Sequence, residues 1–149
     1  MRSVKAFLVV ALLPMHASLA QMTAAKWGPA PAVFPAGAKM AVMSGDPSKR
    51  ELFTVRLDMP AGYKIAPHYH PTDEHITVLS GNFLVGMGDK LESKGTTSLK
   101  AGGFATAPAN AHHFGIARGH TIVQVHAIGP FQLTYVNPAD DPSKKVAKK

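Results

Sequence analysis

The sequence predicts an all-β fold. From residue 39 onward the chain reads as short strand-like segments, and turns that contain Gly or Pro divide nearly all of them. No segment carries the apolar periodicity of an amphipathic helix. Strands at this spacing are expected to form a sandwich, a jelly roll or a barrel, and the two-residue alternation alone does not choose among these architectures.

The first twenty residues read as a secretion signal rather than as part of the fold. Arg2 and Lys5 give a charged start, residues 6–13 form an apolar run, and small residues precede a cleavage site before Gln21. The apolar run is far shorter than the roughly 20 residues that span a bilayer. We therefore expect residues 1–20 to be a signal peptide, and the mature protein to be exported, to the periplasm, without a membrane segment.

The remaining 129 residues suit a single domain. Residues 21–38 are rich in Ala and Pro, and prolines disfavour both a helix and a central strand. We expect this segment to be an extended arm anchored by Trp27 and Phe34. Residues 39–137 form the folded unit, and residues 138–149 are expected to be a flexible basic tail.

The charge distribution does not indicate a nucleic-acid partner. Without Arg2 and Lys5, 14 basic residues stand against 9 acidic residues, a formal balance of +5. Four of the positive charges are lysines of the tail: Lys144, Lys145, Lys148 and Lys149. No aromatic or basic stripe accompanies them, so the tail reads as a solvated chain end.

Ten strand candidates follow one another in the folded unit. Breaks such as Pro60-Ala61-Gly62 and Ser80-Gly81-Asn82 separate them. The candidates are residues 40–43, 51–59, 63–69, 74–79, 83–87, 96–99, 103–107, 113–116, 121–127 and 131–136.

Four side chains stand at spacings that suit a metal ion. His68 and His70 are two residues apart, so in an extended strand both imidazoles point to the same side. Glu74 lies beyond a turn at residues 71–73 and can return toward the same pocket from the next strand. A fourth ligand can come from the pair His112 and His113, which follows a second turn that contains Gly and Pro.

These residues resemble the first motif of the cupin superfamily, which has the form G-x5-H-x-H-x3-E-x6-G. Every fixed position is filled here, by Gly62, His68, His70, Glu74 and Gly81. The resemblance covers roughly residues 39–136, nearly all of the mature chain.

The second cupin motif, G-x5-P-x-G-x2-H-x3-N, is matched less completely, by Gly102, Pro108 and His113. Asn110 replaces the internal Gly, and Asn is the residue best able to take the left-handed conformation of Gly at a tight turn. Ala117 stands where the motif has Asn, so a hydrogen-bonding side chain is lost there.

The resemblance to small single-domain cupins implies a double-stranded β-helix, the jelly-roll barrel, with its ligands inside one open mouth. It also implies one divalent transition metal ion, held by His68, His70, Glu74 and His113. The chain has no Cys, so any metal site is built from His and carboxylate, which favours Fe, Mn, Ni, Zn or Cu over an iron–sulfur cluster. Three His and one Glu leave a coordination position open, as Lewis-acid or oxygen chemistry requires.

Other histidines of the mature chain are expected to lie outside this ligand set. His75 and His112 are each adjacent to a ligand, so an extended backbone turns them the other way. A slip of one residue at the Gly/Pro turn would instead bring His112 to the metal. His126 lies on the outer face if Val123 and Val125 fill the core, and otherwise it lines the mouth as an acid, a base or a partner of a ligand.

The sequence therefore favours an exported, metal-dependent enzyme that acts on a small organic molecule, by dioxygenase-like chemistry with a redox metal or by isomerase or lyase chemistry without one. No separate catalytic base stands out, so the base is either a metal-bound hydroxide or Glu74 shifting off the metal.

The alternative is a non-catalytic cupin that binds a metal or a small ligand as a sensor. An enzyme should offer a cavity with polar groups beyond the ligands, whereas a structural site should be closed. The resemblance also allows a homodimer, because small cupins often pair through a sheet edge or the N-terminal arm.

Overall fold

The structure is a computed structural model that describes residues 24–146, with side chains described through Lys144. The expected signal peptide, residues 1–20, lies outside the described residues. Within the described part of the chain, no helix is long and apolar enough to cross a membrane. Nearly all regular structure is β, as the sequence predicts.

The described residues form eleven strands. They are β1 (Gly28–Pro29), β2 (Lys39–Ser44), β3 (Leu52–Met59), β4 (Lys64–Tyr69), β5 (Glu74–Ser80), β6 (Asn82–Met87), β7 (Thr97–Lys100), β8 (Phe104–Ala107), β9 (His113–Ala117), β10 (Thr121–Ile128) and β11 (Thr134–Tyr135). One sheet has the order β1-β2-β3-β10-β5-β8, and the other has the order β11-β4-β9-β6-β7. From β3 to β11 the chain passes back and forth between the two antiparallel sheets, which is the winding of a jelly roll.

The two sheets enclose an apolar core. Strand β3 alternates between inward and outward residues, and its inward residues are all buried: Phe53, Val55, Leu57 and Met59. Strand β10 pairs with β3 along its whole length and alternates in the same way, so Val123 and Val125 point into the core. His126 therefore lies on the outer face, where its Nδ1 is 3.3 Å from the hydroxyl of Thr54.

The last predicted strand is mostly a loop. The sequence predicts a strand over residues 131–136, but only Thr134–Tyr135 joins a sheet. The preceding segment bonds to a neighbouring loop instead, as in the 2.7 Å hydrogen bond that the Phe131 N–H donates to the carbonyl of Pro47. Residues 129–133 thus lie outside both sheets, and we refer to them as the 129–133 loop.

Two tyrosines hold the N-terminal arm. The Tyr63 hydroxyl donates to the carbonyl of Pro35, and the Tyr135 hydroxyl donates to the carbonyl of Val33 at 2.8 Å. Phe34, which lies between these carbonyls, is buried in the core, as expected for an anchor.

The C-terminal segment is more regular than its composition suggests. The sequence predicts a flexible basic tail over residues 138–149. Among its described residues, Pro138–Asp140 forms a 3-10 turn and Pro142–Val146 forms a short α-helix. Each begins with Pro, whose φ angle is preset for a helical turn. Each also follows a capping side chain. The amide oxygen of Asn137 accepts from the backbone N–H of Ala139, and the carboxylate of Asp141 accepts from the backbone N–H of Ser143.

Candidate metal centre

Three strands bring the four predicted ligands together. His68 lies in β4 with His70 directly beyond it, Glu74 opens β5 and His113 opens β9. Strands β4 and β9 pair so that His68 is the register partner of His113. All four residues are buried, and one potential ligand atom from each lies within 4.8 Å of the others. The residues that the sequence singles out therefore form one cluster.

Two turns hold the ligand-bearing segments against each other. The backbone N–H of Asn110 donates to the carbonyl of His70 at 2.8 Å, and Asp73 Oδ1 accepts from the backbone N–H of Ala109, also at 2.8 Å. Asn110 has a φ angle of 61°, the left-handed conformation predicted for it where the cupin motif has Gly. The turns that precede β5 and β9 are therefore one hydrogen-bonded unit.

Each imidazole of the cluster is oriented by a backbone carbonyl. The Nδ1 atoms lie opposite these oxygens as follows: His68 opposite Ala66 at 2.8 Å, His113 opposite Ala111 at 2.9 Å and His70 opposite Gln132 at 2.7 Å. A carbonyl oxygen can only accept, so Nδ1 carries the proton in each neutral ring. Nε2 is then left with a lone pair, which is the form in which histidine binds a metal through that atom.

Burial and mutual charge set the protonation of the cluster. Burial lowers the pKa of His68 to about 3, and the neighbouring His113 adds to this effect. Burial alone would raise the pKa of Glu74, but the adjacent imidazoles of His113 and His70 outweigh it and hold this pKa well below the usual range. Burial also disfavours a charged His70, yet the Glu74 carboxylate raises the pKa of that imidazole. Glu74 is thus an anion that requires a positive partner.

The Nε2 atom of His70 fits a metal ion as that partner. It is buried and has no hydrogen-bond partner among the described residues, with Glu74 Oε2 at 3.5 Å. The Nε2 atom of His113 lies 3.2 Å from the same oxygen. A cation between the three nitrogens and the carboxylate would satisfy the unpaired nitrogen and compensate the negative charge. Imidazole nitrogens with one carboxylate are a suitable donor set for a divalent transition ion.

An apolar cavity borders the cluster. It is narrow, with a volume of about 40 Å³, and His68, Glu74 and His113 form part of its wall. No other polar side chain of the described residues lines it. Both sheets, the arm and the 129–133 loop contribute apolar residues, among them Phe34, Met40, Phe83, Val125, Phe131 and Leu133.

Sequence reasoning missed the role of Phe131. Its ring stacks on His70, with 4.8 Å between ring centroids and 26° between planes, and it meets Phe53 edge-on. Phe131 therefore covers one side of the cluster while lining the cavity. The only local signal was the Gly129-Pro130 break before it, which indicates a turn but not which way the next side chain points.

The neighbouring histidines lie away from the cluster. His112 Nδ1 is 2.6 Å from Asp89 Oδ1, and its ring stacks on Tyr69, so the one-residue slip that would bring His112 to the metal does not occur. His75 is the register partner of His126 on the outer face of the six-stranded sheet. Neither His112 nor His126 lines the cavity.

Comparisons with known proteins agree with this architecture. A family model described as "Cupin domain" matches residues 55–129, which is 75 of the 149 residues. No curated protein gives a significant match.

Solved structures with the same fold include enzymes. A putative acetylacetone dioxygenase from Methylibium petroleiphilum is 22% identical, with a TM-score of 0.60, over 95% of this chain and 98% of that chain. The polyketide cyclase RemF from Streptomyces resistomycificus is 17% identical, with a TM-score of 0.57, over 74% and 78% of the two chains. An uncharacterised double-stranded β-helix protein from Klebsiella pneumoniae is 25% identical, with a TM-score of 0.54, over 70% and 84%. With half of its length matched by the family model and both sheets in place, the chain belongs to the cupin family.

Proposed function

We propose that this protein is an exported, divalent-metal-dependent enzyme that acts on a small, largely apolar organic molecule. The observation that carries the proposal is that three of the four candidate ligands line an apolar cavity. A purely structural metal site would instead be closed and fully packed. With ferrous iron or another redox metal we propose dioxygenase-like chemistry. With a metal that does not change oxidation state we propose isomerase or lyase chemistry.

The residues that would hold the ion are His68, His70 and His113, through Nε2, and Glu74, through a carboxylate oxygen. A divalent transition ion supplies Lewis acidity and, where it is redox-active, the activation of oxygen. The apolar wall binds the hydrocarbon part of a substrate and excludes water from it. Because the wall offers no other polar side chain among the described residues, the oxygen atoms of a substrate are expected to lie at the ligand cluster.

Glu74 has a second proposed role, as a proton acceptor. It is the one carboxylate of the described residues on the cavity wall, and the adjacent imidazoles hold its pKa low in spite of burial. A carboxylate with a low pKa is a weak base, so the proton that it accepts must be an acidic one. The carbon between two carbonyl groups, an enol or a phenol supplies such a proton.

The similar structures support this substrate class. Acetylacetone, in the name of the putative dioxygenase from Methylibium petroleiphilum, is a small diketone with methyl ends and an acidic central carbon. That protein and this chain are similar over nearly the whole length of both. We therefore propose small 1,3-diketones, enols and phenols as the first compounds to test.

Elemental analysis followed by oxygen uptake tests the proposal. Protein purified without added metal or chelator should carry about one equivalent of a divalent transition metal. His113→Ala should lose this metal, and His75→Ala should retain it, because His75 lies on the outer face. Iron with oxygen uptake, or another metal with conversion of a compound, would support an enzyme. Bound metal without any conversion of these compounds would contradict the proposed substrate class.

The second candidate is a non-catalytic cupin that binds a metal or a small ligand as a sensor. It is favoured by the cavity wall, which has no polar side chain beyond the ligands among the described residues. Enzyme sites usually place a few further polar groups around the substrate. Tight binding of a diketone or a phenol to the metal-loaded protein, with no product formed, would favour this candidate over an enzyme.

A further inference from the structure

Phe34 is the point at which the N-terminal arm reaches the cavity. Its side chain is 8% exposed and belongs to the same buried cluster as Phe83 and Val125. It also borders the cavity whose wall includes the candidate ligands. The size of this cavity therefore depends on a residue that lies outside both sheets.

The backbone around Phe34 is fixed on both sides. The Tyr63 hydroxyl donates to the carbonyl of the residue after Phe34, and the Tyr135 hydroxyl donates to the carbonyl of the residue before it. Both tyrosines are themselves buried, and Tyr135 belongs to β11. The Phe34 N–H adds a turn hydrogen bond of 2.8 Å to the carbonyl of Pro31. Moving the backbone of Phe34 away from the barrel would strain or break both tyrosine bonds, and a broken bond leaves part-buried polar groups unpaired.

We propose that Phe34 is a specificity-determining residue: its ring limits the length of the apolar group that a ligand can place in the cavity, and Tyr63 and Tyr135 position it. The inference rests on the proposed function, since it takes the cavity as the substrate site. The ligands concerned are small molecules with one polar end and an apolar chain, because no described polar side chain at this wall would bind a second polar group.

A homologous series of alkylbenzenes, from toluene to hexylbenzene, measures the available length. Each added methylene that finds room in an apolar cavity strengthens binding about fourfold. In the wild-type protein, affinity measured by calorimetry should rise along the series and then stop rising. In Phe34→Ala the limit should move to chains longer by about two carbon atoms, since the removed ring leaves a cavity that the chain can fill.

Three further variants keep the test decisive. Phe34→Leu retains an apolar side chain in case Phe34→Ala does not fold, and it should shift the limit in the same direction by a smaller amount. The double variant Tyr63→Phe, Tyr135→Phe keeps Phe34 but frees its backbone, and it should make the limit less sharp. Trp27→Ala is the matched control, because Trp27, although expected from the sequence to anchor the arm, is 39% exposed and does not line this cavity.

An unchanged limit in both Phe34 variants would overturn the proposal, and so would an equal shift in Trp27→Ala. Absence of binding by the wild type and by both Phe34 variants would also overturn it, because room made at Phe34 would then admit nothing. The alkylbenzenes need neither metal nor turnover, so the series can be repeated on metal-free protein. A failure of the metal-dependent function therefore leaves the length measurement standing.

Discussion

At the residue scale, the face of the sheet on which a histidine lies decides whether its side chain can bind the metal ion. His70 faces the cluster, whereas His75 lies on the outer face with its Nδ1 3.1 Å from the hydroxyl of Thr106. We expect His70→Ala to lose most of the bound metal and to lower the Tm, because unfolding no longer has to expel the ion. His75→Ala should leave both nearly unchanged. Elemental analysis and calorimetry measure the two effects, and equal metal content in the two variants would contradict the assigned ligand set.

Gly115 is a residue whose lack of a side chain shapes the cavity. A Cβ atom at this position would lie 2.2 Å from Cζ of Phe83, so that ring would have to move. We expect Gly115→Ala to lower the free energy of unfolding by about 1–3 kcal/mol, as overpacking does. Gly119→Ala is the control, because a Cβ there meets no heavy atom within 4 Å in the described chain. Urea denaturation measures both variants, and equal losses would contradict the packing of Phe83 over Gly115.

The sequence predicts the ligand cluster well because its geometry is mostly local. Strand alternation places His68 and His70 on one side, and the carbonyl partner of His68 lies only two residues upstream. The partner of His70 is different, because the carbonyl of Gln132 comes from 62 residues away in the chain. No spacing rule connects two such positions, so that contact and the stacking of Phe131 on His70 appear only in the folded structure.

At the element scale, the turn before β9 carries one of the two departures from the cupin motif. Asn110 has a φ angle of 61°, and its N–H holds the carbonyl of His70. We expect Asn110→Gly to be close to the wild type in stability, because Gly takes this conformation freely. Asn110→Val should cost about 1–2 kcal/mol and weaken metal binding. Denaturation and metal titration measure these effects, and equal behaviour of the two variants would show that the left-handed conformation is not required.

Strand positions follow from alternation and turn residues, and nine of the ten predicted strands match an observed strand closely. The exception is the strand predicted over residues 131–136, of which residues 131–133 belong to the 129–133 loop, because alternation does not reveal the partner of a segment. Its partner is the loop that contains Pro47, not a neighbouring strand. Strand β1, only two residues long, is too short to give any alternation signal. Both misses are segments that depend on tertiary contacts for their conformation.

At the scale of the whole molecule, alkaline pH should loosen the contact between the arm and the barrel. Burial, with the charges of Asp141 and Asp140, raises the pKa of Tyr135 to about 12 from its ordinary value of 10. Below pH 10 the hydroxyl is neutral in both states and its contribution to stability is fully present. Between pH 10 and 12 the unfolded chain ionises first, so stability falls by up to about 1.4 kcal/mol per pH unit.

Tyr135→Phe provides the matched measurement. It removes the ionisable hydroxyl together with its hydrogen bond to Val33, so it should be less stable at pH 8 yet lose less stability between pH 10 and 12. Urea denaturation at several pH values gives both slopes. Identical slopes for the wild type and the variant would contradict the raised pKa of this tyrosine.

The hydrogen bond between His70 and Gln132 also bears on how fast an ion could enter and leave. His68 and His113 are each held by a carbonyl two residues earlier in the chain, so their orientation persists as long as β4 and β9 are paired. His70 is held by the 129–133 loop, which belongs to neither sheet. A local opening of this loop would free the His70 ring from its orienting carbonyl and uncover one side of the cluster while the barrel stays folded. Exchange of the ion would then follow the opening rate of a short loop, and not the far slower rate of global unfolding.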